Sequence, residues 1–223
     1  MLRIFAFLFI LVSAPAALAQ NKVPATYADQ AGGILEAETL EAFLVLDPSD
    51  VIKGDPEAPL TIYEFSSFTC PHCGNLHQNV LPQIYADFIE TGKANLVFRD
   101  FPLDRFAMGI GLLGQCLTEP DAFYAYVELV FANQQVWREA STPFANILSY
   151  AQESGLTQDT ALACLQNQAA VDFLTARQQR AVQLVEVQGT PTLILSDGTR
   201  LVTNDAAAMA AQLEAAYAAV QAQ

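Results

Sequence analysis

The sequence predicts that a buried strand runs directly into a helix at Tyr63-Glu64-Phe65-Ser66-Ser67-Phe68-Thr69-Cys70-Pro71-His72-Cys73. The strand begins just upstream, at Leu60, because residues 60–65 are rich in the β-branched and aromatic side chains typical of buried strands. Apolar residues that recur at three- and four-residue steps predict a helix from about Cys70 to Glu90. The two cysteines therefore lie at the junction between the strand and the first helical turn.

The rest of the chain places a long helical block between strands. A second strand is predicted from Ala94 to Phe101. Residues 103–182 then carry several helical patterns and no convincing strand. Strand character returns at Thr192 to Leu195, and a last helix follows from about Asp205.

This order of elements indicates an α/β sheet domain that is interrupted by a helical insertion. We expect residues 20–102 and 183–223 to form the sheet domain, and residues 103–182 to form the helical insertion domain. Asp197-Gly198 is a pair typical of tight hairpin turns, so residues 199–202 are expected to form a strand that pairs with the one before it.

The Cys70-Pro71-His72-Cys73 motif has the features of a redox-active pair. The first turn of a helix offers unpaired N–H groups and the positive end of the helix dipole, which both favour a thiolate over a thiol. Pro71 fits the first helical position, because its missing N–H has no partner there. Cys70, at the helix cap, is expected to be the more exposed nucleophile, and Cys73 the shielded partner that closes the disulfide. His72 is expected to stabilise the Cys70 thiolate when its ring is cationic.

A structural Cys-x-x-Cys motif, or half of a zinc site, is the alternative interpretation. A zinc site needs a second close cysteine pair or two suitably spaced histidines. The remaining cysteines, Cys116 and Cys164, are 48 positions apart, and the two histidines of the chain flank Cys73. The spacing therefore favours redox chemistry without a metal. Because a depressed thiolate pKa stabilises the reduced state, the motif favours an oxidase of dithiols over a reductase.

Residues 63–73 resemble the active-site segment of the DsbA family of thioredoxin-fold thiol:disulfide oxidoreductases. Two other motifs are similar to those of this family, Gly54-Asp55-Pro56-Glu57-Ala58-Pro59 and Gly189-Thr190-Pro191-Thr192. The resemblance extends from about residue 50 to the end of the chain and includes the position of the helical insertion. It implies a thioredoxin-like fold with a helical insertion domain. It also implies no metal or organic cofactor beyond the Cys70–Cys73 disulfide.

The resemblance further implies a substrate-binding site beside Cys70. It identifies Gly189-Thr190-Pro191-Thr192 as the family's cis-proline loop, with Pro191 across from Cys70 and the Thr190 backbone free to pair with an extended substrate. Thr190, Pro191 and Pro71 are therefore the expected substrate-binding residues. The best-known strong oxidases of the family carry valine before this proline, whereas threonine also occurs in isomerases. The balance between oxidase and isomerase activity stays open on this point.

Glu64 lies in mid-strand among apolar residues, where an unpaired carboxylate is costly and its pKa is expected to rise. The resemblance implies that Glu64 lies beneath the two cysteines and relays a proton to or from Cys73. The alternative is a carboxylate on an edge strand that faces solvent. His77, one helical turn after Cys73, is expected to be an exposed or packing histidine.

Cys116 and Cys164 both lie in the predicted helical insertion. An unpaired cysteine is a liability in an exported protein, and some DsbA-like proteins carry a second disulfide in the helical domain. We therefore predict a structural Cys116–Cys164 disulfide, which would stabilise the protein by about 4 kcal/mol in the chain-entropy model. Two buried free thiols in separate helices are the alternative.

The amino-terminal residues predict export. A short positive start is followed by an unbroken apolar run from Ile4 to Val12, and Ala17-Leu18-Ala19 fits the small-x-small cleavage pattern. Residues 1–19 are therefore predicted to be a signal peptide that is removed. An uncleaved anchor is the alternative, but the apolar run is shorter than the ~20 residues of a spanning helix. Export implies an oxidising compartment in which disulfides persist, and we expect the periplasm.

The composition excludes one class of partner. The chain has 223 residues, 24 of them acidic and 10 basic, and its net charge of −14 rules out the phosphate binding on which nucleic-acid recognition depends. We therefore expect a monomeric periplasmic oxidase that donates its disulfide to reduced exported proteins. The family resemblance implies reoxidation by a membrane quinone-linked partner of the DsbB type. A disulfide isomerase or reductase of the same fold and a non-catalytic chaperone-like binding module are the alternatives.

Overall fold

A computed structural model describes residues 25–222 and has a four-stranded sheet at its centre, so the predicted signal peptide lies outside the described residues. The strands are β1 (Ile52–Lys53), β2 (Leu60–Ser66), β3 (Ala94–Asp100) and β4 (Thr192–Leu195). Their order is β1-β3-β2-β4, with β2 parallel to β3 and both edge strands antiparallel to their neighbours. β2 is therefore an interior strand, and all of its residues are buried.

Helices precede the sheet, connect its strands and follow it. Before β1 lie two 3-10 turns and one short helix: Tyr27–Gln30, Ile34–Glu36 and α1 (Leu40–Phe43). Between β2 and β3 runs a continuous helix, called here the active-site helix, made of α2 (Pro71–Asn75), π-helical Leu76–Val80, α3 (Leu81–Ile84) and π-helical Tyr85–Ile89. Between β3 and β4 lie α4 (Arg105–Gln115), α5 (Pro120–Ala132), α6 (Gln134–Glu139), α7 (Pro143–Glu153), α8 (Gln158–Leu165), α9 (Gln168–Arg180) and π-helical Ala181–Val185. α10 (Ala206–Gln221) follows β4.

This element order confirms the predicted α/β fold, in which a helical insertion interrupts the sheet. The second strand and the helical block that follows it lie where the sequence predicts them. Among residues 25–222, no helix is both long enough and apolar enough to cross a membrane.

Alternate residues of the interior strands face two different hydrophobic cores, as the period of two along a strand requires. Ile62 and Leu96 belong to the first core, together with Cys73 of the active-site helix and Met209 of α10. The aromatic side chains that alternate with them face the second core, which α9 and the following π-helical segment cover. Glu64, two residues after Ile62, is therefore on the face that lies against the active-site helix.

The active-site helix departs from a regular α-helix over Leu76–Val80. Its bounds agree with the predicted helix to within one residue at each end, with Cys70 as the N-cap rather than the first helical residue. The π-helical turn ends one residue before Leu81-Pro82. Because proline has no N–H and its ring clashes with the carbonyl four residues earlier, the preceding turn is where a helix is expected to widen.

Residues 199–202 pair with β4 in the predicted hairpin but do not form a regular strand. Gly198 has a positive φ of 88°, which suits glycine, and its N–H donates to the Leu195 carbonyl oxygen over 2.9 Å. A bridge joins Ile194 to Arg200, and the Leu195 and Leu201 N–H groups donate to the Thr199 and Leu193 carbonyl oxygens, each over 2.9 Å. The Thr199 N–H donates to the Asp197 carboxylate over 2.8 Å instead of to β4, so the ladder stays incomplete.

A disulfide joins Cys116, at the carboxyl end of α4, to Cys164 in α8, with the two Cα atoms 6.3 Å apart. This is the pairing that we predicted from the sequence. Both residues are buried, and the bond closes a loop with a sequence separation of 48. It therefore ties together two helices of the block that separates β3 from β4.

Candidate active site

Cys70 and Cys73 occupy the amino-terminal turn of the active-site helix. Cys70 is the N-cap residue with an extended backbone, and Pro71 takes the first helical position. Both thiols are free, and Cys70 is 7% exposed whereas Cys73 is fully buried. The sulfur at the cap is therefore the one that a partner molecule reaches first.

The two thiols differ strongly in acidity. Hydrogen bonds from the Cys73 side chain, the Thr190 side chain and the backbone N–H groups of Cys73 and His72 lower the pKa of Cys70 from 9.0 to about 5, against the effect of burial. Burial, reinforced by the hydrogen bond to Cys70, raises the pKa of the Cys73 thiol far above its usual value. At neutral pH Cys70 is therefore a thiolate and Cys73 a thiol.

The Thr190–Pro191 peptide bond is cis and lies directly beside Cys70. The Sγ atom of Cys70 is 3.2 Å from the carbonyl oxygen of Thr190, to which the thiol form donates. A cleft of about 450 Å³ adjoins this pair and is bounded by α2 on one side and residues 201–204 on the other. An extended chain placed along Thr190 would therefore pass next to the nucleophilic sulfur.

Glu64 lies under the cysteines and is fully buried on the interior strand β2, which excludes the alternative of a solvent-facing carboxylate on an edge strand. Its Oε1 atom accepts a short hydrogen bond from the Ser66 hydroxyl. The same oxygen lies 2.8 Å from Nε2 of His77, which is nearly as buried. Of the two expectations for His77, the packing one holds, because the ring is buried and stacks on Phe131 with centroids 4.1 Å apart; the pairing with Glu64 was not expected.

Ser66 connects this carboxylate to the buried sulfur. The Ser66 hydroxyl, whose single proton is donated to Glu64 Oε1, also acts on the Cys73 thiol to lower its pKa, as does the Ser67 N–H. Ser66 therefore lies between the Glu64 carboxylate and the buried sulfur. The result is a line of polar groups from Cys73 past Ser66 to Glu64 and His77, in which hydrogen bonds join Ser66 to Glu64 and Glu64 to His77.

Helix α6 holds the loop that carries Cys70. The Gln134 side-chain amide donates to the Phe68 carbonyl oxygen over 2.8 Å, and the Arg138 guanidinium donates to the Thr69 carbonyl oxygen over 2.9 Å. These two side chains are four residues apart and therefore project from the same face of α6. The helical block takes part in shaping the site by fixing the backbone just before the nucleophile.

The structure brings most of the sequence-predicted site residues together. They are Cys70, Cys73, Pro71, His72, Glu64, Thr190 and Pro191. His72 acts on Cys70 through its backbone N–H, and its side chain is exposed at the cleft. Sequence reasoning missed Ser66, the pairing of His77, and Gln134. Strand periodicity could have found Ser66, because it is two residues from Glu64 and shares its face.

No group of three or more His, Cys, Asp or Glu side chains among residues 25–222 is arranged to hold a metal ion. The acidic and sulfur-bearing groups at the site are arranged in pairs and hydrogen-bonded lines instead. This arrangement can hold one sulfur as a thiolate beside the cis-proline loop and keep the other as a thiol.

Comparisons with known proteins agree with this geometry. The family model described as Thioredoxin matches residues 47–215. A curated protein of Rickettsia bellii named "Putative protein-disulfide oxidoreductase" is 22% identical over 161 residues, which cover 72% of this chain and 62% of that protein. The chain therefore aligns with less than two thirds of the length of this relative.

Solved structures of similar proteins share the fold. The alpha-DsbA1 protein of Wolbachia pipientis has a TM-score of 0.75 at 24% identity, covering 82% of this chain and 98% of that one. A protein-disulfide isomerase from Novosphingobium aromaticivorans has a TM-score of 0.64 at 26% identity, covering 75% of this chain and 97% of that one. Both alignments cover nearly all of the solved chains.

Proposed function

Because this chain belongs to the thioredoxin family and has the fold of the DsbA proteins, we propose that it is a thiol oxidase that donates a Cys70–Cys73 disulfide to exported proteins. The observation that carries this proposal is the unequal acidity of the two sulfurs. A Cys70 pKa of about 5 stabilises the reduced pair, which makes the disulfide a strong oxidant and Cys70 a good leaving group.

The exchange takes place in two steps that balance in atoms and electrons. A substrate thiolate attacks Cys70 Sγ, the Cys70–Cys73 bond breaks, and the electron pair and then one proton go to Cys73. A second substrate thiolate attacks the substrate sulfur of the mixed disulfide and releases the Cys70 thiolate. Two substrate thiols are oxidised to a disulfide, and the enzyme leaves with both cysteines reduced.

Substrate binding rests on backbone pairing in this proposal. The Thr190 backbone pairs with the extended substrate beside Cys70, and Pro191 and Pro71 line the approach. Because the chain carries a net charge of −14, apolar contacts and backbone hydrogen bonds are the expected source of affinity. The substrates are reduced exported proteins of the periplasm, and the active unit is a monomer.

Reoxidation completes the cycle. We assign it to a membrane quinone-linked partner of the DsbB type, which would accept two electrons from the reduced pair. The redox-active disulfide is the only prosthetic element in this scheme. Residues 103–182 act as the helical insertion domain, whose α6 holds the active-site loop, and residues 20–102 and 183–223 provide the sheet domain.

Glu64 serves as the buried proton donor to Cys73 in this proposal. The contacts that support it are the hydrogen bond from Ser66 to Glu64 and the effect of the Ser66 side chain on the Cys73 thiol. For the transfer, the Ser66 hydroxyl turns from Glu64 to the Cys73 thiolate and gives it its proton, while a proton from Glu64 passes to the Ser66 oxygen. The Ser66 hydroxyl thus lies between the carboxyl group and the sulfur that is protonated.

Disulfide isomerisation is a second candidate, and two observations favour it. Threonine precedes Pro191, and the Novosphingobium protein that is 26% identical is named an isomerase. An isomerase uses the reduced Cys70 thiolate to attack a wrong disulfide in its substrate. The two candidates differ in which redox state of the enzyme is active.

A transfer assay distinguishes these functions. Oxidised protein is mixed with a reduced peptide that carries two cysteines, and peptide thiols are counted over time. We expect one peptide disulfide per enzyme molecule and none with Cys70→Ser. In a separate arm, Cys73→Ser is mixed with the oxidised peptide, whose disulfide the Cys70 thiolate attacks, and the peptide–Cys70 mixed disulfide should accumulate because no Cys73 thiol is present to resolve it. The matched control is the double variant Cys116→Ala/Cys164→Ala, which should keep the yield.

Two results of that assay would contradict the oxidase proposal. No peptide oxidation by the wild-type protein, together with peptide binding that Cys70→Ser leaves unchanged, would favour a non-catalytic binding module. Rearrangement of a scrambled two-disulfide peptide by the reduced enzyme, without net oxidation by the oxidised one, would favour the isomerase.

A further inference from the structure

Cys73 needs a proton in every turnover, yet it has no contact with solvent. It is fully buried, and burial raises its pKa, so its thiolate is a poor resting state. While it stays a thiolate, it can attack the mixed disulfide and reverse the exchange. Protonation of Cys73 therefore commits the reaction, and the proton has to come from solvent through the protein.

The line of groups that starts at Cys73 ends at a residue that does not line the substrate cleft. It passes through Ser66 and Glu64 and reaches His77, whose Nε2 lies 2.8 Å from Glu64 Oε1. Phe131 stacks on the His77 ring at 4.1 Å, and the edge of the Phe98 ring lies 6.1 Å away. The ring is thus held with Nε2 directed at the carboxylate.

A cavity of about 270 Å³ lies over His77. His77 is the buried part of its lining, and the exposed residues Gln78, Pro82, Glu128 and Ala132 form the rest together with half-buried Tyr85. The cavity thus reaches from the protein surface to the imidazole. Its volume has room for several water molecules.

Three buried polar atoms near this cavity have no hydrogen-bond partner among residues 25–222. They are Glu64 Oε2, His77 Nδ1 and the Tyr85 hydroxyl. Buried polar atoms are nearly always paired with protein or with ordered water. Two of the three belong to residues that line the cavity, and water entering the cavity would supply the missing partner to His77.

Charged groups from three elements face this place. Glu64 approaches from β2. The pKa of Tyr85 is raised mainly by the burial of its own hydroxyl, and the charge of Glu64 adds to this effect. Glu128 of α5 stands at the rim, where it pairs with Lys53 of β1 at 2.8 Å. The Lys53 ammonium lies 4.7 Å from the centre of the Tyr85 ring and 5.1 Å from that of Tyr124. His77 is the group among them that both reaches the cavity and touches the buried carboxylate.

We propose that His77 is the outer member of a proton route from solvent to Cys73, which enters through this cavity and continues through Glu64 and Ser66. This proposal rests on the proposed function and adds the place at which the proton enters the protein. His77 passes its Nε2 proton to Glu64, takes a proton from cavity water at Nδ1, and returns to its starting state by proton exchange with water. The net change is one solvent proton transferred to the Cys73 thiolate.

Chemical rescue tests the role of His77. Oxidised protein is reduced with dithiothreitol, samples are quenched with acid and alkylated, and the single-turnover rate is measured against pH. We expect His77→Ala to slow reduction by about 10²-fold, the lower end of general acid–base contributions. Added imidazole should restore the rate in proportion to its concentration, because the truncated side chain enlarges the cavity and leaves it open.

A second variant tests the cavity without altering any group of the route. Ala132→Leu places a larger side chain at the entrance and should slow the same step severalfold, whereas Gln83→Ala, an exposed position outside the lining, should not. Thermal unfolding of each variant checks that the fold persists. His77→Gln keeps an N–H donor for Glu64, but an amide neither releases nor takes up a proton at neutral pH, so it should be as slow as His77→Ala if His77 relays.

Several outcomes would overturn the inference. Normal rates with both His77→Gln and Ala132→Leu would show that the proton enters elsewhere, all the more so if Glu64→Gln were slow. A slow His77→Ala variant that imidazole does not rescue, with a normal His77→Gln variant, would show that His77 only positions Glu64. If instead the wild-type protein failed to oxidise the two-cysteine peptide, the proposed function would fail, and this result is separate from any difference between variants.

Discussion

The side-chain amide of Gln134 donates to the carbonyl oxygen of Cys70 over 2.9 Å, across a sequence separation of 64. Gln134 belongs to α6, is buried, and donates to the Phe68 carbonyl oxygen as well. The geometry of the nucleophile therefore depends on a helix of the inserted block and not only on the strand and helix that carry Cys70.

We expect Gln134→Met to raise the pKa of Cys70 and to destabilise the protein. Methionine has a similar length but no donor, so the Phe68 carbonyl loses the Gln134 hydrogen bond at a cost of about 1–3 kcal/mol, and the Cys70 carbonyl keeps only the Gly74 N–H. The loop would then relax, and the N–H groups that lower the Cys70 pKa would align less well. Ultraviolet absorbance of the thiolate against pH and denaturant unfolding measure the two effects. Gln135→Met, at the exposed neighbouring position, is the control, and an unchanged Cys70 pKa in Gln134→Met would contradict the argument.

The stability difference between the reduced and oxidised protein should depend on pH between about 9 and 5. The folded reduced state lowers the pKa of Cys70 from 9.0 to about 5, so ionised Cys70 stabilises the reduced fold above that range. As pH falls through this window the contribution is lost, whereas the oxidised protein has no such thiol. Denaturant unfolding of both redox states at several pH values should show the advantage of the reduced state shrinking towards pH 5. A difference that stays constant with pH would contradict the assignment of the thiolate.

Asp100, at the end of β3, should make the protein less stable as pH rises from about 4 to about 7. Neither carboxylate oxygen has a hydrogen-bond partner within residues 25–222, and burial raises the pKa of Asp100 from 3.8 to about 7, although the Arg177 charge opposes this. Between these pH values the Asp100 carboxyl is ionised in the unfolded chain but protonated in the folded protein. The free energy of unfolding therefore falls as pH rises, until the carboxyl ionises in the folded protein too. Asp100→Asn should gain a few kcal/mol at pH 7 and flatten this dependence. Asp121→Asn, an exposed change, should leave the pH dependence as in the wild type, and a steep curve in Asp100→Asn would refute the assignment.

Removal of the Cys116–Cys164 disulfide should cost stability without altering the redox pair. The bond closes a loop with a sequence separation of 48, for which the chain-entropy model gives about 4 kcal/mol. Denaturant unfolding of Cys116→Ala/Cys164→Ala measures the loss, and the reduction potential of the Cys70–Cys73 pair should be unchanged. A shifted potential would mean that the bond also shapes the active site through the helical block.

Local periodicity accounts for much of the site. The motif around Cys70 places the nucleophile at a helix cap. Residues two apart on β2 share a face, so Ser66 lies on the same face as Glu64. Residues four apart on the active-site helix also share a face, so His77 lies on the same face as Cys73. The sequence alone therefore indicates which residues share a face. It does not indicate that the strand face and the helix face meet, and for that reason the pairing of Glu64 with His77 was missed.

Contacts between distant segments could not be predicted from the sequence. Nothing near Gln134 marks it as a donor to the active-site loop, because its partners are separated from it by 64 and 66 positions. The irregular strand at residues 199–202 depends on side chains as well. Its local sequence favours a hairpin, which forms, but the Asp197 carboxylate takes the Thr199 N–H that a regular ladder would use, and Gln212 of α10 accepts from the Val202 N–H on the outer edge.

The equilibrium reduction potential of the Cys70–Cys73 pair, measured against glutathione, tests the central claim most directly. A Cys70 thiolate that is stable at neutral pH favours the reduced state, so we predict a potential near that of strong oxidases, about −120 mV. A potential near about −270 mV, typical of a reductase, would contradict the account.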